Sequence, residues 1–184
     1  GCWIDYGSVS RMDFLNRCAS TSERRVNLYF FFKFLHISGI LLWIGPPLGA
    51  YWIFLRTNLL RGENQRFDIS VRRAFIGILT AEHIGLLFLT AGFTGMLWTT
   101  RWTMLSSVWV LAKLGLFVLV IVPIEVFDIY LGQIVPLRLL KKSPEIITPD
   151  METAFSRYDR FTRFCVAPLL LSWAAFFYLA IVKP

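Results

Sequence analysis

The chain contains two histidines, His36 and His83, and both lie within long apolar stretches. Haem iron takes imidazole nitrogen as an axial ligand, so a histidine inside a membrane span predicts a b-type haem site. In antiparallel helices His36 would lie roughly 9 Å and His83 roughly 23 Å from the outer face, at 1.5 Å per residue. Two axial nitrogens must lie within about 4 Å of each other. We therefore disfavour a shared iron and take His36 as the candidate metal ligand.

Charged side chains accompany both histidines inside the apolar stretches. Lys113 would lie roughly 10 Å from the outer face, at a depth similar to that of His36. Glu82 and His83 form a second level, and Glu125 lies nearer the opposite face. A charge in hydrocarbon costs roughly 2.5–3.5 kcal/mol or more, so such groups usually face the bundle interior and have a partner. These residues predict a stepped polar track, with His36, Lys113, His83 and Glu82 as candidate cofactor-binding residues.

A plainer interpretation needs no cofactor. Lys113 would pair with Glu82, and the two histidines would bond to backbone or hydroxyl groups. Asp128 is predicted at the membrane interface, and Lys33, near the end of its helix, can extend its amine to the interface. The sequence leaves both interpretations open.

The elements that must position these residues are membrane helices. Hydrophobic residues make up 56% of the chain and charged residues 17%, against roughly 45–50% and 25% in soluble proteins. Crossing the hydrocarbon takes roughly 20 residues, and lipid leaves backbone groups to bond within the helix. Four apolar blocks reach that length, at about 30–55, 74–100, 106–130 and 164–182. We predict an all-α membrane protein: a four-helix transmembrane domain over 26–184 in contact with lipid, after an N-terminal extension over 1–25.

Basic residues are concentrated in two connections, 56–73 and 131–163. The positive-inside rule places these connections on the cytoplasmic, matrix or stromal side and both termini on the opposite side. Arg24 and Arg25, in the N-terminal extension, oppose this orientation. Because basic anchors account for the net charge of +7, no nucleic-acid partner is needed to explain it.

Short motifs around the ionisable residues resemble those of a known membrane superfamily. They are Phe34-Leu35-His36 with Trp43 and Gly45, Thr80-Ala81-Glu82-His83, and Trp109 followed by Lys113-Leu114. They are similar to the first three helices of a four-helix superfamily that includes CopD-type copper-resistance proteins, HemJ-type protoporphyrinogen oxidases and uncharacterised integral membrane proteins. The resemblance covers about residues 28–135, and the fourth helix fits by position only.

The resemblance implies a bundle that handles haem or porphyrin. In HemJ-type enzymes the first-helix histidine and third-helix lysine belong to the functional site, and haem b is the cofactor. The matching residues here are His36 and Lys113.

The chain also departs from the HemJ pattern. Pro46-Pro47 stands where those enzymes have Pro-Arg, and Glu125 or Asp128 lies near the position of a further third-helix histidine. Four methionines and three scattered cysteines form no cluster of soft copper ligands. The uncharacterised branch of the superfamily fits best.

Two functions follow as hypotheses. The first is a haem-binding or redox-associated subunit in electron transport, with His36 as axial ligand. The second is a non-catalytic accessory subunit of a larger respiratory or photosynthetic complex. Its protein partners would contact the 17 Phe and 7 Trp, the N-terminal extension or the polar segment 139–162. A proton-conducting protein or small transporter is a third hypothesis, based on the polar track. Whether the chain is an enzyme stays open.

Overall fold

Four long helices account for nearly all of the chain that the structure describes. A computed structural model describes residues 11–58, 65–143 and 145–182 and is 94% helical. The first ten residues of the predicted N-terminal extension lie outside these ranges. The helices are α1 (Arg11–Asn58), α2 (Gln65–Thr99), α3 (Val108–Lys142) and α4 (Pro149–Val182). The described chain contains no strand, so the prediction of an all-α four-helix bundle is confirmed.

Each helix contains a stretch that is long and apolar enough to cross a membrane. These stretches are Glu23–Ala50, Arg66–Thr99, Val108–Lys142 and Pro149–Val182. The helices extend beyond the apolar blocks because polar residues do not themselves end a helix. In particular, the predicted connection 131–163 contains the end of α3 and the beginning of α4. The helix start at Pro149 suits proline, because the first helical position needs no amide donor.

Helices α1 and α2 pack closely through glycines. A Cβ added at Gly85 of α2 would lie 2.5 Å from the amide nitrogen of Trp43, and one at Gly92 would lie 2.5 Å from that of His36. Gly39 of α1 approaches the α2 backbone in the same way. Small residues allow helix backbones in lipid to come close and gain dispersion contacts. Within the described residues, no Cα of α1 lies within 8 Å of α3 or α4, so α1 joins the bundle through α2 and through side chains.

Helix α3 changes its winding twice. π-Helical segments occur at Phe117–Ile121 and Ile129–Ile134, and each is followed closely by a proline, Pro123 or Pro136. Proline has no amide hydrogen and clashes with the carbonyl four residues earlier, and in both cases that carbonyl lies within the π segment. The wider turn accommodates the ring. The α-helical segment between them, Val122–Asp128, carries two acidic residues, and such π segments are frequent at functional sites.

A hydrophobic core lies at the end of the bundle where the basic residues are concentrated. It contains Ile69, Ile76, Leu140, Met151 and Phe155, contributed by α2, α3 and α4. The Arg72 guanidinium lies 4.5 Å from the centre of the Phe155 ring and 3.7 Å from the Asp159 carboxylate. The segment that appeared polar in sequence is therefore packed against α2.

Candidate functional site

His83 of α2 lies between two carboxylates of α3. Its Nε2 is 3.3 Å from Glu125 Oε2 and 3.7 Å from Asp128 Oδ2. The three side chains are 14%, 7% and 16% exposed, respectively. Within the described part of the chain, none of these three atoms has a hydrogen-bond partner. Three buried polar atoms therefore converge on one small volume.

The other nitrogen of His83 is held by backbone. Nδ1 lies 2.6 Å from the backbone carbonyl oxygen of Leu79, one turn earlier, and 2.9 Å from the side-chain amide nitrogen Nε2 of Gln133 on α3. A carbonyl oxygen can only accept, so the short contact with Leu79 requires a hydrogen on Nδ1, and the Gln133 amide can turn to suit it. Nε2 then faces the carboxylates as a lone pair in the neutral ring or as an N–H in the imidazolium.

An aromatic donor holds each carboxylate. The indole N–H of Trp43 donates to Glu125 Oε1 at 2.7 Å, and the Tyr158 hydroxyl donates to Asp128 Oδ1 at 2.8 Å. The second oxygen of each carboxylate is thereby directed to His83. Trp43 belongs to α1 and Tyr158 to α4, so all four helices contribute to this group. We call His83, Glu125, Asp128, Trp43 and Tyr158 the central cluster.

Glu82 lies beside the central cluster. It is partly buried and close enough to Glu125 and Asp128 for the carboxyl charges to interact. The interior of the bundle thus brings three carboxyl groups near one imidazole. In surroundings of low dielectric constant, such charges interact much more strongly than they do in water.

His36 occupies a different level of the bundle. Its Nδ1 donates to the Leu89 carbonyl oxygen on α2 at 2.9 Å, and its ring lies 6.1 Å from that of Phe93. Lys113 Nζ lies 5.1 Å from the centre of the Trp109 ring and close enough to His36 for their charges to interact. Trp43, in the central cluster, lies two turns along α1 from His36, or roughly 10 Å at helical rise.

The structure thus divides the predicted site residues into two groups. His36 and Lys113 share one level, and His83 and Glu82 share another with Glu125. Both histidines bond to backbone carbonyls, as the interpretation without a cofactor expects. Asp128, which the sequence analysis places at the membrane interface, lies against His83.

The sequence analysis missed three members or neighbours of the central cluster. They are Trp43 as a donor, Gln133 and Tyr158. The sequence does indicate that Trp43 faces the bundle interior, since it lies seven residues after His36 and so on the same helix face. Tyr158 lay in a segment predicted as a connection, and only the early start of α4 brings it opposite Asp128.

Comparisons with known protein families, curated proteins and solved structures found no match. Among the described residues, no group of three or more His, Cys, Asp or Glu side chains has an arrangement that could hold a metal ion.

Tyr158→Phe tests the hydrogen bond that orients Asp128. We expect the free energy of unfolding to fall by about 1–2 kcal/mol, because a buried carboxylate oxygen loses its donor. Thermal unfolding in detergent, followed by helical circular dichroism, measures the change. Tyr178→Phe is the matched control, since Tyr178 is exposed on the same helix. Equal losses in the two variants would contradict a specific role for the Tyr158 hydroxyl.

Proposed function

We propose that the chain is a membrane-embedded haem-binding subunit associated with electron transport, with His36 as the axial ligand. The observation that carries the proposal is the hydrogen bond from His36 Nδ1 to the Leu89 carbonyl. Metal-binding histidines usually donate their other ring N–H to a carbonyl or carboxylate, which fixes the tautomer and makes the ligating nitrogen more basic. In the neutral ring, this bond leaves the lone pair on Nε2, the nitrogen that would bind iron.

The surroundings of His36 support a flat, anionic ligand. Phe93 and Trp109 supply aromatic surface, and the ammonium group of Lys113 suits a propionate carboxylate. When bound, haem b would supply one-electron redox chemistry. The protein residues would bind the iron, orient the ring and neutralise a propionate.

Orientation in the membrane is part of the proposal. The connections at 56–73 and 131–163 would face the cytoplasm, matrix or stroma, and both termini would face the other compartment. This orientation would put the Arg72 and Phe155 contact, with the core around it, at the basic end and His36 nearer the opposite face.

His36→Ala, with His83→Gln as the matched histidine control, tests the haem site. Protein produced with ample haem should show a Soret band and a pyridine haemochrome spectrum. We expect His36→Ala to lower haem affinity about tenfold or more, because the iron loses its protein nitrogen ligand. Added imidazole should partly restore binding, and His83→Gln should retain it. A folded wild-type protein without a Soret band, or a His36→Ala protein with unchanged haem content, would refute the proposal.

A further inference from the structure

We propose that His83, Glu125 and Asp128 form a buried proton-binding site that exchanges protons with water. This inference does not depend on haem, because His83 lies at a different level from His36 and both carboxylates come from the segment between the two π turns. The three atoms that would share protons are His83 Nε2, Glu125 Oε2 and Asp128 Oδ2.

The three atoms converge without hydrogen-bond partners among the described residues. Glu125 is 7% exposed, and its Oε2 has no hydrogen-bond partner within the described residues although it faces His83 Nε2 at 3.3 Å. Three acceptor atoms this close repel one another unless hydrogen lies between them. A proton on Nε2, or on either carboxylate oxygen, turns the repulsion into a hydrogen bond after a movement of a few tenths of an ångström.

Acidic side chains outnumber the imidazole around the site. Helix α1 contributes the Trp43 indole, which carries no charge. Within the described residues, the titratable groups that interact with Glu125 or Asp128 include Glu82 of α2 and Tyr158 and Cys165 of α4. None of these three groups supplies a positive charge. The imidazole therefore meets an excess of carboxyl groups, and bound protons are the simplest means of reducing that negative charge.

One oxygen of each carboxylate already accepts a hydrogen bond. Trp43 and Tyr158 donate to Glu125 Oε1 and Asp128 Oδ1, so the proton-accepting oxygens are the two that face His83. A proton from water would bind at one of these oxygens or at Nε2 and would return to water on release, with no other bond changed. His83 and Asp128 are more exposed than Glu125, and Asp128 lies one turn nearer the basic end of α3, so we expect protons to enter from the Asp128 side.

Infrared difference spectroscopy between two buffers at about pH 6 and about pH 9, both above the range in which exposed carboxyl groups are protonated, tests the proposal on the full chain in lipid nanodiscs. We expect C=O bands of protonated carboxyl groups that shift in heavy water. Glu125→Gln should remove one band, and Asp128→Asn should remove another. Glu145→Gln is the control and should leave the spectrum unchanged, because Glu145 is exposed outside the helices. His83→Gln should change the pH at which the remaining bands appear.

Two results would overturn the proposal. One is a spectrum with no exchangeable carboxyl band, or with bands that neither acidic substitution changes. The other is a carboxylate spectrum that responds to added Zn²⁺ or Mg²⁺ and not to pH, which would make the site a metal site. If Glu125→Gln does not fold, Asp128→Asn and the heavy-water shift of the wild type decide. The same bands in haem-free His36→Ala would separate this site from the haem proposal.

Discussion

Trp43→Ala should lower the free energy of unfolding by about 3–5 kcal/mol, the range for truncation of a large buried aromatic residue. Trp43 is 3% exposed, donates to Glu125 and packs edge-on against Trp173 of α4 at 6.0 Å between ring centres. Since the α1 backbone does not approach α3 or α4 in the described chain, this side chain is a main link between α1 and those helices. Its removal leaves a cavity and a carboxylate oxygen without its donor.

Two further variants separate packing from hydrogen bonding at this position. Trp43→Phe keeps an aromatic ring and removes the indole N–H, and we expect a smaller loss of about 1–3 kcal/mol. Trp98→Ala is the control for aromatic truncation at an exposed position of α2. Denaturant unfolding in mixed micelles, followed by circular dichroism, compares the three proteins. If Trp43→Ala costs no more than Trp98→Ala, Trp43 does not link the helices as described.

Gly92→Ala should destabilise the bundle by about 2–3 kcal/mol, although alanine favours helices more than glycine does. The new Cβ would lie 2.5 Å from the His36 amide nitrogen, and neither that backbone nor the α2 backbone can move alone. Helices α1 and α2 must therefore separate. Because the His36 bond to Leu89 crosses the same interface, the variant should also weaken haem binding under the proposed function.

Gly77→Ala is the matched control for this substitution. Gly77 lies on the same helix, and a Cβ there would meet nothing within 4 Å. We expect this variant to be neutral or stabilised by up to about 1 kcal/mol. Thermal unfolding in detergent measures both variants, and opposite signs are the expected result. A loss at Gly77 as large as that at Gly92 would contradict the close approach of α1 and α2 as the cause.

The four helices could be predicted because their cause is local and simple. An apolar block of spanning length must be helical in lipid, so composition and length were sufficient. That His83 and Glu125 would face polar groups inside the bundle could also be predicted, since a charge in hydrocarbon requires a partner. The partner itself could not be predicted, because which side chains face each other depends on the rotation of each helix.

The π segments of α3 and the early start of α4 explain why Gln133 and Tyr158 were missed. The sequence gives no sign of the two π segments of α3, which rotate the residues that follow them. The predicted apolar block of the fourth helix begins near 164, whereas the helix begins at Pro149 and carries Tyr158 to Asp128. Residues 149–163 are rich in polar side chains, and composition alone does not distinguish a polar helix from a loop.

The two widened turns of α3 have a mechanical consequence. An α-helix transmits torsion along its axis because its backbone hydrogen bonds are continuous. Each of the two prolines of α3 removes one of these hydrogen bonds next to a π-helical turn. Helix α3 thus consists of three short α-helical segments, with a π-helical segment on each side of Glu125 and Asp128. A rotation of α3 at Lys113 would be taken up by the π segment Phe117–Ile121, so it would reach Glu125 mainly through contacts with the other helices.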